Sequence, residues 1–153
     1  MLLNEPAKKA VELLFNIDSI YVSEKFFEMV TEQSCDCDEI VIKNGEKNIL
    51  LTSHASGEDG YIEIDTVANY EQSRFPYEVD ISKESFKFDK LCFLENGLIE
   101  GIRFCADGVF LFIFALEHNL VLTKSKYDLF EEIEMILPET EAVLKIRKIK
   151  QQI

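Results

Sequence analysis

The sequence predicts an α+β protein, with a mostly antiparallel meander sheet of about six to eight strands on which two N-terminal helices and a C-terminal helix pack. Three observations lead to this fold class. Apolar residues follow helical spacing near both ends of the chain, β-rich runs fill its middle, and Asn-Gly or Asp-Gly pairs recur between those runs. Neither a linker nor a repeat interrupts the chain of 153 residues, so we expect residues 1–153 to form a single domain.

Two helices are expected before the sheet. Asn4 can cap the first, and Pro6 suits its first turn. The apolar residues of that helix recur at helical spacing: Ala7, Ala10, Val11 and Leu14. After a break at 16–21, Ser23 can cap a second helix. The apolar face of this second helix would contain Phe26, Phe27 and Val30.

The first predicted strands are β-rich or alternate between apolar and polar residues. They cover 39–43, 47–52, 61–65 and 77–81. Asn44-Gly45, which separates the first two runs, is typical of a tight hairpin turn. Because residues 61–65 alternate with period two, one face of that strand should be exposed to solvent.

Two further hairpin turns, Asn96-Gly97 and Asp107-Gly108, define a meander in the centre of the chain. Its strands are predicted at 91–95, 98–105, 109–116 and 120–123. Strand 109–116 is apolar at every position, whereas an antiparallel strand usually has one wet face. We therefore expect this strand to be covered on both sides.

The end of the chain predicts the third helix. Ser125 can cap it, and Pro138 ends it. Its apolar stripe consists of Leu129, Ile133, Ile136 and Leu137. Residues 139–150 fit either a helix or a strand, because both periodicities occur in them.

The charge balance indicates the chemistry of a partner. The chain has 16 Lys and Arg against 29 Asp and Glu, a net charge of −13. Residues 143–153 hold four basic residues and no acid, so the rest of the chain is more acidic still. Such a surface repels nucleic acid and anionic lipid and attracts basic proteins. Excess carboxylates can also serve solubility alone.

Location is inferred from the same sequence. The N-terminus lacks the basic region and apolar stretch of a secretory signal. The longest apolar run, 109–116, is too short to span a bilayer. The four Cys, at positions 35, 37, 92 and 105, do not form a disulfide-dense pattern. We therefore expect a cytoplasmic protein with free thiols that does not enter a membrane.

Seven acids in and beside the first strands form the candidate partner-binding surface: Asp36, Asp38, Glu39, Glu58, Asp59, Glu63 and Asp65. If those strands are neighbours, these side chains make a continuous acidic surface, although each acid taken alone is best explained as a solvated residue. We expect an acidic interaction protein, not an enzyme, that binds and neutralises a basic protein partner. The most specific form of this hypothesis is a bacterial immunity protein that inhibits a nuclease-like toxin. No catalytic residue, metal or cofactor is predicted.

A small-molecule-binding or regulatory module is the first alternative. The turn at Asp107-Gly108 sets Arg103 opposite Phe112, and the turn at Asn96-Gly97 sets Lys90 on the other side of Arg103. A basic pair next to Phe side chains could bind an anionic group in an apolar pocket under the sheet. Arg103 could equally pack on a ring with its charged end in water.

A hydrolase that uses His54 with Glu58 or Asp59 is the second alternative. Residues 53–60 form a predicted loop that contains His, two Ser and two acids. The Gly-x-Ser-x-Gly motif of many hydrolases is absent, however, and the Gly-Glu-Asp-Gly portion is ordinary turn chemistry.

A metal site is a further candidate. Cys35-Asp36-Cys37-Asp38 could hold an ion together with His54 or His118. Cys-x-Cys lacks the usual two-residue ligand spacing, and no second pair with ligand spacing follows. We therefore expect two ordinary Cys at a junction between a helix and a strand.

Overall fold

A computed structural model describes residues 5–23, 34–81, 84–116, 118–126, 128, 130 and 146–148. In these residues the chain forms one α-helix, α1 at Glu5–Leu14, and eleven strands. The strands are β1 Ser19–Val22, β2 Ser34–Cys37, β3 Glu39–Asn44, β4 Lys47–Ser56, β5 Asp59–Val67, β6 Tyr77–Val79, β7 Lys87–Phe93, β8 Ile99–Ala106, β9 Val109–Ala115, β10 Leu120–Ser125 and β11 Ile146–Lys148. A 3₁₀ turn at Gln72–Arg74 lies between β5 and β6.

The strands form two antiparallel sheets. Sheet I has six strands in the order β11-β6-β1-β3-β4-β5, and sheet II has five in the order β2-β10-β9-β8-β7. β2 and β3 belong to different sheets although only Asp38 separates them. The Ser23 hydroxyl accepts the N–H groups of Asp38 and Glu39 at 3.0 and 2.9 Å. These two bonds hold the chain where it passes from one sheet to the other.

The predicted α+β class is wrong, although the antiparallel pairing of the strands is confirmed. In place of one meander sheet with three helices on it, the described residues contain two sheets and a single α-helix. Each sheet has an apolar inner face, and another sheet buries such a face as effectively as helices do. β1 also occupies residues 19–21 of segment 16–21, for which the sequence predicts a break.

Two predicted helices fall outside the described residues. The second helix was expected to place three apolar residues on one face, Phe26, Phe27 and Val30. The C-terminal helix was expected to carry the stripe Leu129, Ile133, Ile136 and Leu137. The sequence predicts either a helix or a strand for residues 139–150, and the described residues of this segment, Ile146–Lys148, form a strand.

The inner faces of the two sheets and one side of α1 form a single core. In α1, Ala10 and Leu14 are fully buried, as their helical spacing predicts. The largest core side chains from the two sheets include Ile20, Ile40, Ile42, Ile49, Leu51, Ile102, Phe104, Leu111 and Ile113. No helix in the described part of the chain is long and apolar enough to cross a bilayer.

Strand β9 is buried on both faces, which confirms the prediction from its sequence. It lies between β8 and β10 in the middle of sheet II. Leu111 and Ile113 point into the core between the sheets. Phe112 and Phe114 point the other way and form a second cluster, in which the Phe130 ring lies 5.2 Å from the Phe112 ring and 5.5 Å from the Phe114 ring.

The connection from β5 to β6 crosses the outer face of sheet I. The Tyr70 ring lies 6.3 Å from the Tyr21 ring, and the Lys43 ammonium lies 5.6 Å from the Tyr70 ring centre. Phe75 follows in the same connection and is only 2% exposed. This segment covers the middle of the outer face and explains why Val41 of β3 is fully buried there. The β4–β5 side of the face lies beyond these contacts.

Candidate protein-binding surface

The β4–β5 hairpin carries most of the candidate acids. Its strands pair from Asn48 with Val67 as far as Ser56 with Asp59, and Gly57 turns the chain with φ of +68°. The expectation of an exposed loop at 53–60 is therefore wrong, because the two strands continue through it. Since alternate residues of a strand share a face, this register fixes which side chains meet on the outer side of sheet I.

Five of the seven candidate acids belong to this hairpin or to the strand beside it. Glu63 lies opposite Thr52 of β4, whose other neighbour is Glu39 of β3. Asp65 follows Glu63 on the same face of β5. Glu58 and Asp59 lie exposed at the hairpin turn.

The other two candidate acids lie at the passage between the sheets. Asp38 is exposed between β2 and β3. Asp36 lies in sheet II and is 3% exposed, with the Asn119 amide donating to its carboxylate at 3.2 Å. Burial raises the pKa of the Asp36 carboxyl above its ordinary value, while the hydrogen bond from Asn119 acts in the opposite direction. Asp36 therefore does not join the surface that the other acids form.

The acids of the outer face have exposed basic neighbours. The Glu63 carboxylate lies 3.0 Å from His54 Nε2, and the Asp65 carboxylate lies 3.6 Å from Lys9 Nζ of α1. Side-chain exposures in these two pairs run from 42% to 49%. Exposed ion pairs contribute little to stability, so both carboxylates can exchange their present neighbour for a cation of a partner.

Two further acids, Glu95 and Glu100, lie beside the hairpin turn and were not predicted from the sequence. The Asn96 amide donates to the Ser56 hydroxyl at 3.3 Å, which brings the β7–β8 turn next to the β4–β5 turn. Burial, and then the negative charge of Asp59, raise the pKa of the Glu100 carboxyl. We call the set Glu58, Asp59, Glu95 and Glu100 the acidic corner. No local signal predicts it, because its members come from different sheets.

His54 does not form the relay that a hydrolase requires. Its Nε2 atom lies 3.0 Å from the Thr52 hydroxyl and 3.0 Å from the Glu63 carboxylate. A catalytic relay uses the two ring nitrogens separately, one for the nucleophile and one for the orienting acid. The Ser53 hydroxyl instead donates to the Leu116 carbonyl, just beyond the end of β9, at 2.6 Å. The geometry gives the hydrolase alternative no support.

Arg103 has the strand neighbours predicted from the turns, Phe112 on one side and Lys90 on the other. Its guanidinium is already bound by two carboxylates, that of Asp89 at 2.6 Å and that of Asp128 at 2.9 Å. Burial alone would lower the pKa of Arg103, but its bonds to these carboxylates raise it.

The apolar space beside Arg103 is also filled. The guanidinium lies 5.0 Å from the Phe110 ring centre and 5.8 Å from that of Phe130. Phe112, the apolar part of the predicted ligand site, is fully buried beneath Phe130 and Phe114. The arrangement matches an Arg that packs on aromatic rings and satisfies two acids more closely than an anion receptor.

The cysteines do not assemble a metal site. Cys35 and Cys37 of β2 are fully buried in the core between the sheets, and all four Cys are free thiols. His54 lies on the outer face of sheet I and cannot meet them at one ion. The contact with Cys35, together with burial, raises the pKa of the Cys37 thiol well above its ordinary value. Among the described residues, no three His, Cys, Asp or Glu side chains form a group able to hold a metal.

A groove of about 610 Å³ runs along β5 next to these acids. One side is formed by α1, through Lys8, Lys9 and Glu12. The other boundaries are residues 61–65 of β5 and residues 98–99 at the start of β8. The groove arises because α1 and sheet II come together at the edge of sheet I, which the sequence patterns could not predict.

A larger cleft of about 820 Å³ lies at the opposite end of β4, and its acids already have partners. The Asp18 carboxylate accepts the Gly45 N–H at 2.6 Å, and the Glu84 carboxylate binds Lys124 Nζ at 2.6 Å.

Comparison of the chain with known protein families, with curated proteins and with solved structures finds no match.

Proposed function

We propose that this chain is a non-enzymatic interaction protein that binds a basic protein partner through the outer face of β3–β5 and the acidic corner. One observation carries the proposal. Glu39, Glu63 and Asp65 share one face of sheet I, and Glu58 and Asp59 continue that acidic surface at the turn of the hairpin. The surface adjoins the crossing segment that carries Tyr70 and Phe75, whose Arg74 binds the Glu39 carboxylate.

The charge of the whole chain supports this assignment. A net charge of −13 creates a field that accelerates the encounter with a basic protein and disfavours acidic partners. The local acids then select the orientation in which the partner docks. Their exposed neighbours, Lys9 and His54, are weakly held and can be displaced.

The most specific form of the proposal is an immunity protein that inhibits a nuclease-like toxin. A nuclease cleft must attract phosphate groups, so its basic side chains also match a rigid array of carboxylates. If this form is correct, the purified chain should inhibit the nuclease at equimolar concentration, and co-expression should protect cells that produce it. A partner without nucleic-acid-cleaving activity would exclude the immunity role but leave the basic-partner proposal in place.

The test of the general proposal begins with capture of partners from the source cell by the tagged chain. Association rates measured with the captured partner should fall as ionic strength rises, because salt screens long-range attraction. The double variant Glu58→Lys/Asp59→Lys should associate at least about tenfold more slowly at low salt. Acidic partners only, or salt-independent association, would overturn the proposal.

A matched control variant distinguishes the effect of the acids at the acidic corner from the effect of net charge. Glu46→Lys/Asp107→Lys changes the net charge by the same amount, at two exposed turns remote from the acidic corner. Glu46 lies in the β3–β4 turn, at the other end of β4, and Asp107 lies in the β8–β9 turn, at the other end of β8. The control should bind nearly as the unmodified chain does, and equal losses in both variants would contradict a defined surface.

A further inference from the structure

Strand β5 ends sheet I. It pairs with β4 on one side and with no described strand on the other. Every second residue of an antiparallel edge strand directs its N–H and C=O groups away from the sheet. Such an edge can accept an extended segment of another protein as an added strand, with main-chain hydrogen bonds giving affinity and alternate side chains giving specificity.

The groove beside β5 follows this edge. Its β5 boundary is the run 61–65, and at strand rise five residues extend about 16 Å. α1 borders the groove on one side, and Leu98 and Ile99 border it on the inner side. The groove therefore follows a strand-length stretch of β5 between a charged wall and an apolar wall.

The side chains of β5 define the chemistry of a matching strand. Glu63 and Asp65 lie on the outer face, with exposed carboxylates. Ile62 and Ile64 lie on the inner face and are 4% and 7% exposed. Residues of an added strand lie beside residues of β5 on the same face, so basic residues suit the outer positions and apolar residues the inner ones. The matching pattern is an alternation of basic and apolar residues.

The opposite edge of sheet I provides a comparison within this chain. Strand β11, from the basic end of the sequence, pairs with β6 at that edge. Arg147 is the register partner of Glu78, and Ile146 is the register partner of Val79. The first two residues of β11 thus lie beside a core residue and an acid, while its third residue, Lys148, lies beside Tyr77.

We propose that the open edge of β5 binds an extended segment of the basic partner, with alternating basic and apolar residues, as an additional strand of sheet I. This inference rests on the proposed function and names the part of the partner that is recognised. A second copy of the chain does not suit the edge, because antiparallel pairing of two β5 strands about Glu63 would place the acids of the two copies together.

The test uses a short synthetic peptide of alternating lysine and valine, with the full chain. Binding should slow hydrogen exchange of those amides within 61–65 that point away from β4. Two derivatives of this peptide are compared, one N-methylated on its lysine residues and the other on its valine residues. They have the same charge and apolar content. Only one of them can still direct its N–H groups toward β5, so one should bind and the other should not. A block-ordered peptide of the same composition should bind at least about tenfold more weakly.

Variants of the chain test whether the peptide binds at β5. Glu63→Lys/Asp65→Lys should weaken peptide binding by about tenfold or more, and Glu63→Gln/Asp65→Asn should weaken it less while preserving the fold. Glu46→Lys/Asp107→Lys should leave the affinity unchanged. Equal binding of both N-methylated peptides, or binding without protection of 61–65, would overturn the inference. Sedimentation that shows a dimer formed through β5 would overturn it as well.

The two proposals can fail separately. If the captured partner depends on Glu58 and Asp59 but the peptide does not protect β5, the strand-addition inference is wrong and the proposed function stands. If the peptide adds to β5 but all captured partners are acidic, the edge is a binding site and the proposed function is wrong.

Discussion

Gly60 of β5 lies directly against Leu116, just beyond the end of β9: a Cβ atom on Gly60 would fall 2.1 Å from the Leu116 carbonyl oxygen. The same oxygen accepts the Ser53 hydroxyl at 2.6 Å. At this point the β4–β5 hairpin of sheet I rests on the backbone of sheet II. The contact positions the hairpin turn, and with it Glu58 and Asp59, beside the acids of sheet II.

Replacing Gly60 by Ala should therefore destabilise the protein. The added methyl group meets backbone that cannot move without shifting a strand, so we expect a loss of about 1–3 kcal/mol or more in the free energy of unfolding. Ala55, the exposed register partner of Gly60, provides the control, since Ala55→Ser should leave unfolding nearly unchanged. Chemical denaturation of both variants checks this. An unaltered Gly60→Ala midpoint would mean that the two sheets do not meet here.

Phe112 should be among the most important side chains for stability. It is fully buried in the outer cluster of sheet II, so Phe112→Ala should cost about 3–5 kcal/mol of unfolding free energy. Phe15 is 60% exposed, and Phe15→Ala makes the same chemical change without opening a cavity. Thermal unfolding should show a large drop for the first variant and little change for the second. Similar melting of both would contradict the double burial of β9.

Asp36 should reduce stability at neutral pH. A carboxyl whose pKa is higher in the folded state than in the unfolded state binds its proton more tightly when folded, so it destabilises the fold above both pKa values. The penalty diminishes as the pH falls and is absent below the unfolded pKa. Asp36→Asn keeps an acceptor for Asn119 and should raise Tm at neutral pH, with a gain that shrinks on acidification.

The neighbouring Asp38 provides the control for Asp36. It is exposed, so Asp38→Asn makes the same chemical change without removing a buried charge, and Tm should change little at any pH. Melting curves recorded across the carboxyl titration range distinguish the two variants. A Tm of Asp36→Asn that is lower than that of the unmodified chain at neutral pH would show that the charged form is needed in the fold.

Lys9 should limit the affinity of the β5 edge for basic segments. Its ammonium lies 3.6 Å from the Asp65 carboxylate, and both groups are 48% exposed. Lys9→Gln releases this carboxylate and should tighten binding of the alternating lysine–valine peptide by about two- to fivefold. Lys47→Gln removes the same charge at the far end of β4 and should have a smaller effect. Titration calorimetry measures both affinities. If the two variants tighten peptide binding equally, net charge alone explains the effect.

Much of the local structure could be predicted from residues close together in the sequence. The spacing around Asp107-Gly108 correctly set Arg103 opposite Phe112, and the apolar run of β9 correctly predicted burial on both faces. Both predictions depend on turn geometry and on the alternation of side chains along a strand, which nearby residues determine. α1 was predicted for the same reason, from the spacing of Ala10 and Leu14.

The candidate surface was only partly predictable. Alternation placed Glu63 and Asp65 on one face, and the hairpin order brought Glu39 into the neighbouring strands. Neither pattern could show that Asp36, only two positions before Asp38, belongs to the other sheet and is buried there. A passage between sheets at Asp38 leaves no local pattern, because the polar residues that mark it also occur in any turn.

The sequence by itself determined the positions of the turns, the register of β8 with β9, the burial of β9 and the strong acidic charge, because each follows from near neighbours or from composition. Only the tertiary structure decided that the strands divide into two sheets, that Asp59 approaches Glu100, and that β5 pairs with no described strand on its side next to α1. These features depend on which apolar faces bury one another. That choice is made by contacts between residues far apart in the chain, where many pairings satisfy the same local pattern.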